Sequence, residues 1–239
     1  MTEEFSRLEQ LVGKEAMNRL ASSRVAVFGI GGVGGYVVEA LARCGVGTLD
    51  LIDSDEVALS NINRQIIALH STVGQKKAEV MARRVADIHP EATVHVHAVF
   101  YLPETADQFD FTQYDYVVDA IDTVAGKLEL VKRARAAGVP IICSMGAGNK
   151  LDPTAFEVAD IYKTSVCPLA KVMRNLCRRE GIPALKVVYS KEPPLTPLVS
   201  CERVNGRTPP ASAIFAPAAA GLALAREVVC DLIRGGLTV

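Results

Sequence analysis

Seven consecutive residues limit the fold more than any other part of this 239-residue chain. Gly29-Ile-Gly31-Gly32-Val-Gly34-Gly35 follows the β-forming run Arg24-Val-Ala-Val-Phe28 and leads into helically spaced apolar positions, Val33, Val37, Ala40, Leu41 and Cys44. So many glycines between a strand and a helix predict a tight turn whose backbone N–H groups stay open at a helix N-terminus. Phosphate can approach such groups closely. Gly29, Gly31 and Gly34 satisfy G-x-G-x-x-G, Gly32 lies between them, and Asp53 closes the next apolar run 19 residues after Gly34. An acid there is placed to bind a ribose hydroxyl. A nucleotide site follows, and on this motif alone the nucleotide would be NAD.

The rest of the chain continues the alternation. Strands are expected at 48–53, 93–99, 116–121 and 139–144, and helices at 33–44, 75–89 and 125–137. Such a series builds an α/β, Rossmann-like, doubly wound and mainly parallel sheet. Residues 3–22 carry Phe5, Leu8, Leu11, Val12, Met17 and Leu20, the pattern of one or two short packing helices. Beyond residue 150 the pattern loosens into a C-terminal extension. Strands are expected at 156–160 and 186–190, a loop at 192–210, and a helix at 168–180 with Leu169, Val172, Met173 and Leu176 as its apolar stripe. The length suits a single domain, 1–239, with a nucleotide-binding part at about 22–150 and a substrate-facing and interface part at about 151–239. Residues 208–225 carry no charge, but Pro209, Pro210 and Pro217 interrupt them, and Arg226 and Glu227 follow. This reads as a buried helix opened by Pro217, with no stable membrane span.

The six cysteines include no C-x-x-C pair, which excludes a paired zinc ribbon and a disulfide scaffold and points to a cytoplasmic, reducing location. Cys167, before Pro168 at an expected helix start, reads as a capping or incidental residue. Cys44, Cys177 and Cys230 read as core, Cys143 falls in a strand and Cys201 in a loop.

The block after Asp53 argues against a dinucleotide. It continues through Asp55 to Asn61-Ile-Asn-Arg64-Gln65, and Lys77 follows at an expected helix start. An arginine and a lysine converging on one nucleotide suit a triphosphate, because they neutralise phosphate oxygens and a pyrophosphate leaving group. The fourth strand ends in Asp119-Ala-Ile-Asp122. Asp122, at the tip, could hold Mg2+ against the phosphates, while Asp119 suits a buried, hydrogen-bonded acid.

Together these residues resemble the adenylating domain of the ubiquitin-activating, ThiF/MoeB-like superfamily, whose members bind ATP with Mg2+ and adenylate a carboxylate. The resemblance implies that Asp53 contacts the ribose, that Asn61, Arg64 and Lys77 contact phosphates, and that Asp122 holds the metal. Asp55 and Gln65 complete the nucleotide-binding set. It also implies a homodimer in which Arg7, in Phe5-Ser-Arg7, reaches the partner's site. The downstream segments Gly146-Ala-Gly148-Asn-Lys-Leu-Asp152-Pro-Thr154 and Phe215-Ala-Pro217 resemble one branch, the tRNA threonylcarbamoyladenosine dehydratases. That branch implies ATP-dependent ring closure on tRNA carrying threonylcarbamoyladenosine, and leaves room for a sulfur-transfer partner protein. Adenylation of a ubiquitin-like sulfur carrier is the alternative within the superfamily; absence of C-x-x-C pairs weighs against it. An NAD(P)-dependent oxidoreductase is the alternative outside it, and leaves Arg64, Lys77 and Asp122 idle.

The charge balance of −1 excludes a uniformly basic nucleic-acid binder. It conceals an uneven distribution. Residues 161–191 hold seven basic residues against Glu180 alone, a local +6, which leaves −7 for the remainder. Lys171, Arg174 and Arg178 share one helical face opposite the apolar stripe. With Lys163 they form the expected contact to a phosphate backbone.

Overall fold

A computed structural model describes residues 3–199 and 209–234. Two N-terminal helices, α1 (Ser6–Val12) and α2 (Lys14–Ser22), precede β1 (Arg24–Phe28), α3 (Gly34–Arg43) and β2 (Thr48–Ile52). Then come α4 (Lys77–Ile88), β3 (Thr93–His97), β4 (Tyr116–Asp119), α5 (Val124–Ala137) and β5 (Ile141–Ser144). The extension adds β6 (Phe156–Asp160), α6 (Pro168–Arg179), β7 (Lys186–Ser190) and α7 (Phe215–Arg234).

The seven strands form one sheet in the order β3-β2-β1-β4-β5-β7-β6. All neighbours run parallel except β6, which pairs antiparallel with β7 at the edge. Val25 to Phe28 of β1 and Tyr116 to Val118 of β4 are apolar or aromatic and buried, as a sheet covered on both faces requires. The one acid in β2, Asp50, is fully buried. Arg24 grips it bidentately, Nε at 2.8 Å and Nη2 at 2.9 Å, and His97 Nε2 lies 3.0 Å away from the other neighbouring strand. This hydrogen-bonded pairing raises the Arg24 pKa.

Helix α7 is the main covering element on one face. Its Ala216, Ala220, Leu224 and Val228 are buried against α3, whose Val37, Val38 and Leu41 are also buried. Gly221 is what lets the two helices meet: a Cβ there would lie 2.5 Å from Val33 O and 2.8 Å from Tyr36 Cβ. Removing each large apolar side chain from water stabilises the fold by about 1.5–3 kcal/mol. No helix among the described residues is long and apolar enough to cross a membrane.

Several boundaries and faces differ from expectation. α4 starts at Lys77, not at residue 75, because Gly74 (φ +85°) sits in a turn and Lys76 is extended, bridging Glu56. Leu11 is 82% exposed, although Phe5, Met17 and Leu20 are buried as expected. The buried stripe of α6 is Ala170, Met173 and Cys177, so Val172 faces solvent and Leu169 and Leu176 are only half-buried. Two small residues, Ala170 and Cys177, flank Met173 in that stripe while the leucines sit on its shoulders, which apolar spacing alone could not resolve. Cys44 and Cys230 are half-buried rather than fully in the core. Cys201 and part of the expected 192–210 loop lie outside the described residues.

Candidate active site

The strand order reverses between β1 and β4, and open α/β sheets hold ligands outside the carboxyl ends of the strands at such a point. A cavity of about 820 Å³ opens there. The glycine loop forms its floor. Gly29 has φ +89°, and a Cβ on it would lie 2.8 Å from Ala120 O; a Cβ on Gly34 would lie 1.7 Å from Gly29 O. Both positions are therefore closed to side chains by the protein's own backbone. Gly31 differs: the nearest atom to its absent Cβ is Gln65 Nε2 at 3.8 Å, so the space left open belongs to the cavity.

Asp53, at the end of β2, locks the loop in place. Its Oδ2 accepts from Ile30 N–H at 2.7 Å and its Oδ1 from Asp55 N–H at 2.8 Å. A carboxylate oxygen can accept a second hydrogen bond, so a hydroxyl in the cavity still finds an acceptor here. Burial raises the Asp53 pKa, opposed by the nearby charge of Lys77 and by the two backbone bonds. Lys77, buried at the start of α4, pairs with Asp55 at 2.7 Å. Arg64 is half-buried and lines the same cavity. Its Nη1 donates to Ser60 O at 2.8 Å and Asn63 Oδ1 at 3.0 Å, and among the described residues no carboxylate pairs with it. Burial without a counter-ion lowers its pKa. A desolvated guanidinium of this kind invites an anion. Asn61 is buried and its Oδ1 accepts from Ala58 N–H at 3.1 Å; Gln65 is buried, and its Oε1 has no partner among the described residues. Asp122, three residues beyond β4, is exposed and also lines the cavity.

Asp119 is the buried, hydrogen-bonded acid that the apolar strand suggested. Its partner went unnoticed in the sequence: Lys127, fully buried on α5, donates from Nζ to Asp119 Oδ1 and to Ile121 O, each at 2.9 Å. Ile121 N–H also donates to Asp119 Oδ1, at 3.2 Å. Lys127 thereby fixes the β4–α5 turn that presents Asp122. A lysine in the first turn of a helix that returns over a strand-end acid was the available signal.

A model described as the ThiF family matches residues 5–229, nearly the whole chain. The chain belongs to the ThiF family. It is 45% identical over 244 aligned residues to the tRNA threonylcarbamoyladenosine dehydratase of Bacillus subtilis (strain 168), covering 98% of this chain and 96% of the relative. It is 43% identical to the enzyme of the same name from Escherichia coli (strain K12), over 72% of this chain and 64% of the relative. Among solved structures, the E. coli tRNA N6-threonylcarbamoyladenosine dehydratase TcdA in complex with AMP superimposes with a TM-score of 0.89 at 35% identity, over 98% of this chain and 95% of that one. The same protein in complex with ATP gives a TM-score of 0.89 at 34% identity, with the same coverage.

In this ThiF-family chain the cavity gathers Gly29, Gly31, Gly32, Asp53, Asp55, Asn61, Arg64, Gln65, Lys77 and Asp122 from separate parts of the sequence, with Gly34 packed beneath. It does not gather Arg7, which lies exposed on α1. Lys163, Lys171 and Arg178 are exposed around α6. Arg174 is not part of a free face: its Nη1 donates to Thr164 O at 2.7 Å and to Thr164 Oγ1 at 2.6 Å, which turns the guanidinium back onto the chain. Arg178 stacks 5.5 Å over the Tyr162 ring. Cys167 occupies the N-cap position of α6 without a side-chain cap bond, and its buried side chain borders the cavity.

Proposed function

We propose that the chain is an ATP-dependent adenylating enzyme that closes a ring, with loss of one water, on the threonylcarbamoyladenosine of a tRNA. The observation that carries this reading is the half-buried, carboxylate-free Arg64 facing a glycine loop in a fold shared with a relative solved with ATP and with AMP. The B. subtilis relative's name supplies the substrate.

In this reading the glycine-loop N–H groups and Asp53 hold the nucleotide by its phosphates and ribose. Arg64, Asn61 and Lys77 neutralise the phosphates, Lys77 leaving Asp55 to do so. The threonine carboxylate of the substrate attacks the α-phosphorus, the bond to the β-phosphate breaks, and pyrophosphate departs with charge balanced by Arg64 and Lys77. The carbamoyl group on the same side chain then attacks the activated carbonyl and AMP leaves. The nucleophile is already tethered, so its effective molarity is high and no enzyme nucleophile is required. Asp122 fits a magnesium site in one respect: its exposed carboxylate faces the cavity with no ion pair among the described residues, and phosphates and waters would supply the other ligands. Bound there, Mg2+ would neutralise phosphate charge. Arg7 is exposed and does not line its own cavity, and we place it in the site of a second copy within a homodimer.

The deciding experiment incubates the protein with ATP, Mg2+ and tRNA bearing threonylcarbamoyladenosine and weighs the nucleosides. The expected product is lighter by one water, with AMP and pyrophosphate released. An unchanged mass, or pyrophosphate release only with a ubiquitin-like carrier protein, would overturn the proposal. A second expectation concerns the basic face, now reduced to Lys163, Lys171 and Arg178. Lys171→Ala should weaken tRNA binding and lower the slope of log affinity against log salt by about 1, the change expected for one lost phosphate contact, with ATP binding unaltered. Filter binding across a salt series measures it; an unchanged slope removes Lys171 from the interface.

A further inference from the structure

The β7–α7 connection contributes Pro194, Pro210 and Ser212 to the cavity lining. Its two described arms, 191–199 and 209–214, leave most of their side chains in solvent, so the hydrophobic core does not hold them. Hydrogen bonds do: the Glu192 carboxylate of the first arm accepts from the N–H groups of Leu151 and Asp152, and one residue, Asn149, bonds both arms. Asn149 follows β5 in the left-handed region, φ +57°, a conformation that asparagine tolerates better than most residues. Its backbone N–H donates to Ala211 O at 2.6 Å, and its Oδ1 accepts from Ala211 N–H at 2.7 Å. Its carbonyl accepts from Leu195 N–H at 2.7 Å, on the other arm. The adjacent Gly148 allows this: a Cβ there would lie 2.6 Å from Pro210 Cβ. A second tie runs to the phosphate side, where Asn63 Nδ2 donates to Ser212 O at 2.8 Å and Asn63 Oδ1 accepts from Arg64 Nη1 at 3.0 Å.

We infer that Asn149 is a positioning residue that clasps both arms of the β7–α7 connection, and that Asn63 ties the clasped wall to the Arg64 loop. The wall facing the carboxylate to be activated is thereby set in register with the wall facing the phosphates. A bimolecular attack on the α-phosphorus needs that register, since small misplacements cost large factors in rate. The acceptor that the wall shapes is the modified nucleoside of the proposed reaction; the clasp itself stands on geometry independent of it.

Asn149→Gly keeps the backbone conformation and removes the Oδ1 acceptor; Asn149→Asp keeps an acceptor. With one hydrogen bond lost, Asn149→Gly should raise KM for the modified tRNA about fivefold to tenfold. KM for ATP should change less than twofold, and Tm by no more than about 2 °C. Asn149→Asp should restore the tRNA KM, and Asn63→Ala should raise both KM values. An unchanged tRNA KM in Asn149→Gly, or the same defect in Asn149→Asp, overturns the inference. Amide hydrogen exchange without substrate scores the clasp separately: Ala211, bonded to Oδ1, should exchange faster in Asn149→Gly, while Leu195, bonded to the retained carbonyl, should change less, and unchanged Ala211 exchange counts against the clasp. Should wild-type protein fail to dehydrate tRNA, the reaction falls, while the exchange result still decides the clasp.

Discussion

Arg64→Ala is expected to lower tRNA-dependent turnover by about a hundredfold to a thousandfold, the range seen when a preorganised donor to a developing charge is removed. The fold should survive, because the Arg64 side chain bonds only Ser60 O and Asn63 Oδ1 among the described residues and leaves no buried counter-ion unpaired. Arg64→Lys should recover part of the loss, since an ammonium supplies charge without the planar fork. Steady-state pyrophosphate release with thermal melting as a control measures both points. Wild-type turnover in Arg64→Ala would remove the residue from the phosphate site. Arg64 also raises a question of cost: a guanidinium taken partly out of water without a carboxylate is destabilising in the free protein. Phosphate binding would relieve that cost, so ATP should raise Tm in the wild type more than in Arg64→Ala.

The largest stability effect is expected beneath the site. Lys127→Met leaves the carboxylate of Asp119 buried and unpaired, which typically destabilises by about 3–5 kcal/mol. In a chain of this size that lowers Tm by roughly 6–20 °C. Asp119→Leu combined with Lys127→Met removes both charges and should recover at least half of the loss, since replacing a whole buried pair by apolar groups is often neutral. Chemical denaturation of the two variants measures the difference. A Lys127→Met protein as stable as wild type would contradict the buried pair. The double variant should fold yet remain slow, because the Ile121 carbonyl is no longer held and the Asp122 turn is released.

Where the sequence was informative, geometry explains why. The glycine loop was readable because backbone approach forbids side chains at Gly29 and Gly34. The gathering of Arg64, Lys77 and Asp122 was readable because strand ends and helix starts meet at the reversal of strand order. Faces of α6 were harder. Leu169, Val172, Met173 and Leu176 fit helical spacing, but the buried centre belongs to Ala170, Met173 and Cys177, and hydrophobicity alone ranks Val172 above Ala170. Arg174 matched the periodicity of a basic face, yet a backbone carbonyl and a hydroxyl of Thr164 hold it inward. Long-range polar pairs left the least trace. Nothing in local pattern joins Asn63 to Ser212 or Asn149 to Ala211, since each bond spans a large stretch of chain.

The contact between α3 and α7 bears on how the protein is made. Pro217 sits where a Cβ on Gly32 would be 3.3 Å away, and Gly221 touches the backbone of Val33. The glycine loop and α3 are synthesised well before α7, the helix that covers them. Until residues 215–234 have been made, Val37, Val38 and Leu41 have no partner there. Such long-range closure slows folding and leaves apolar surface open on the nascent chain. A ribosome that stalls before residue 215 would therefore release a fragment with much of its sheet, an unfinished cavity and an uncovered apolar helix, a substrate for chaperones.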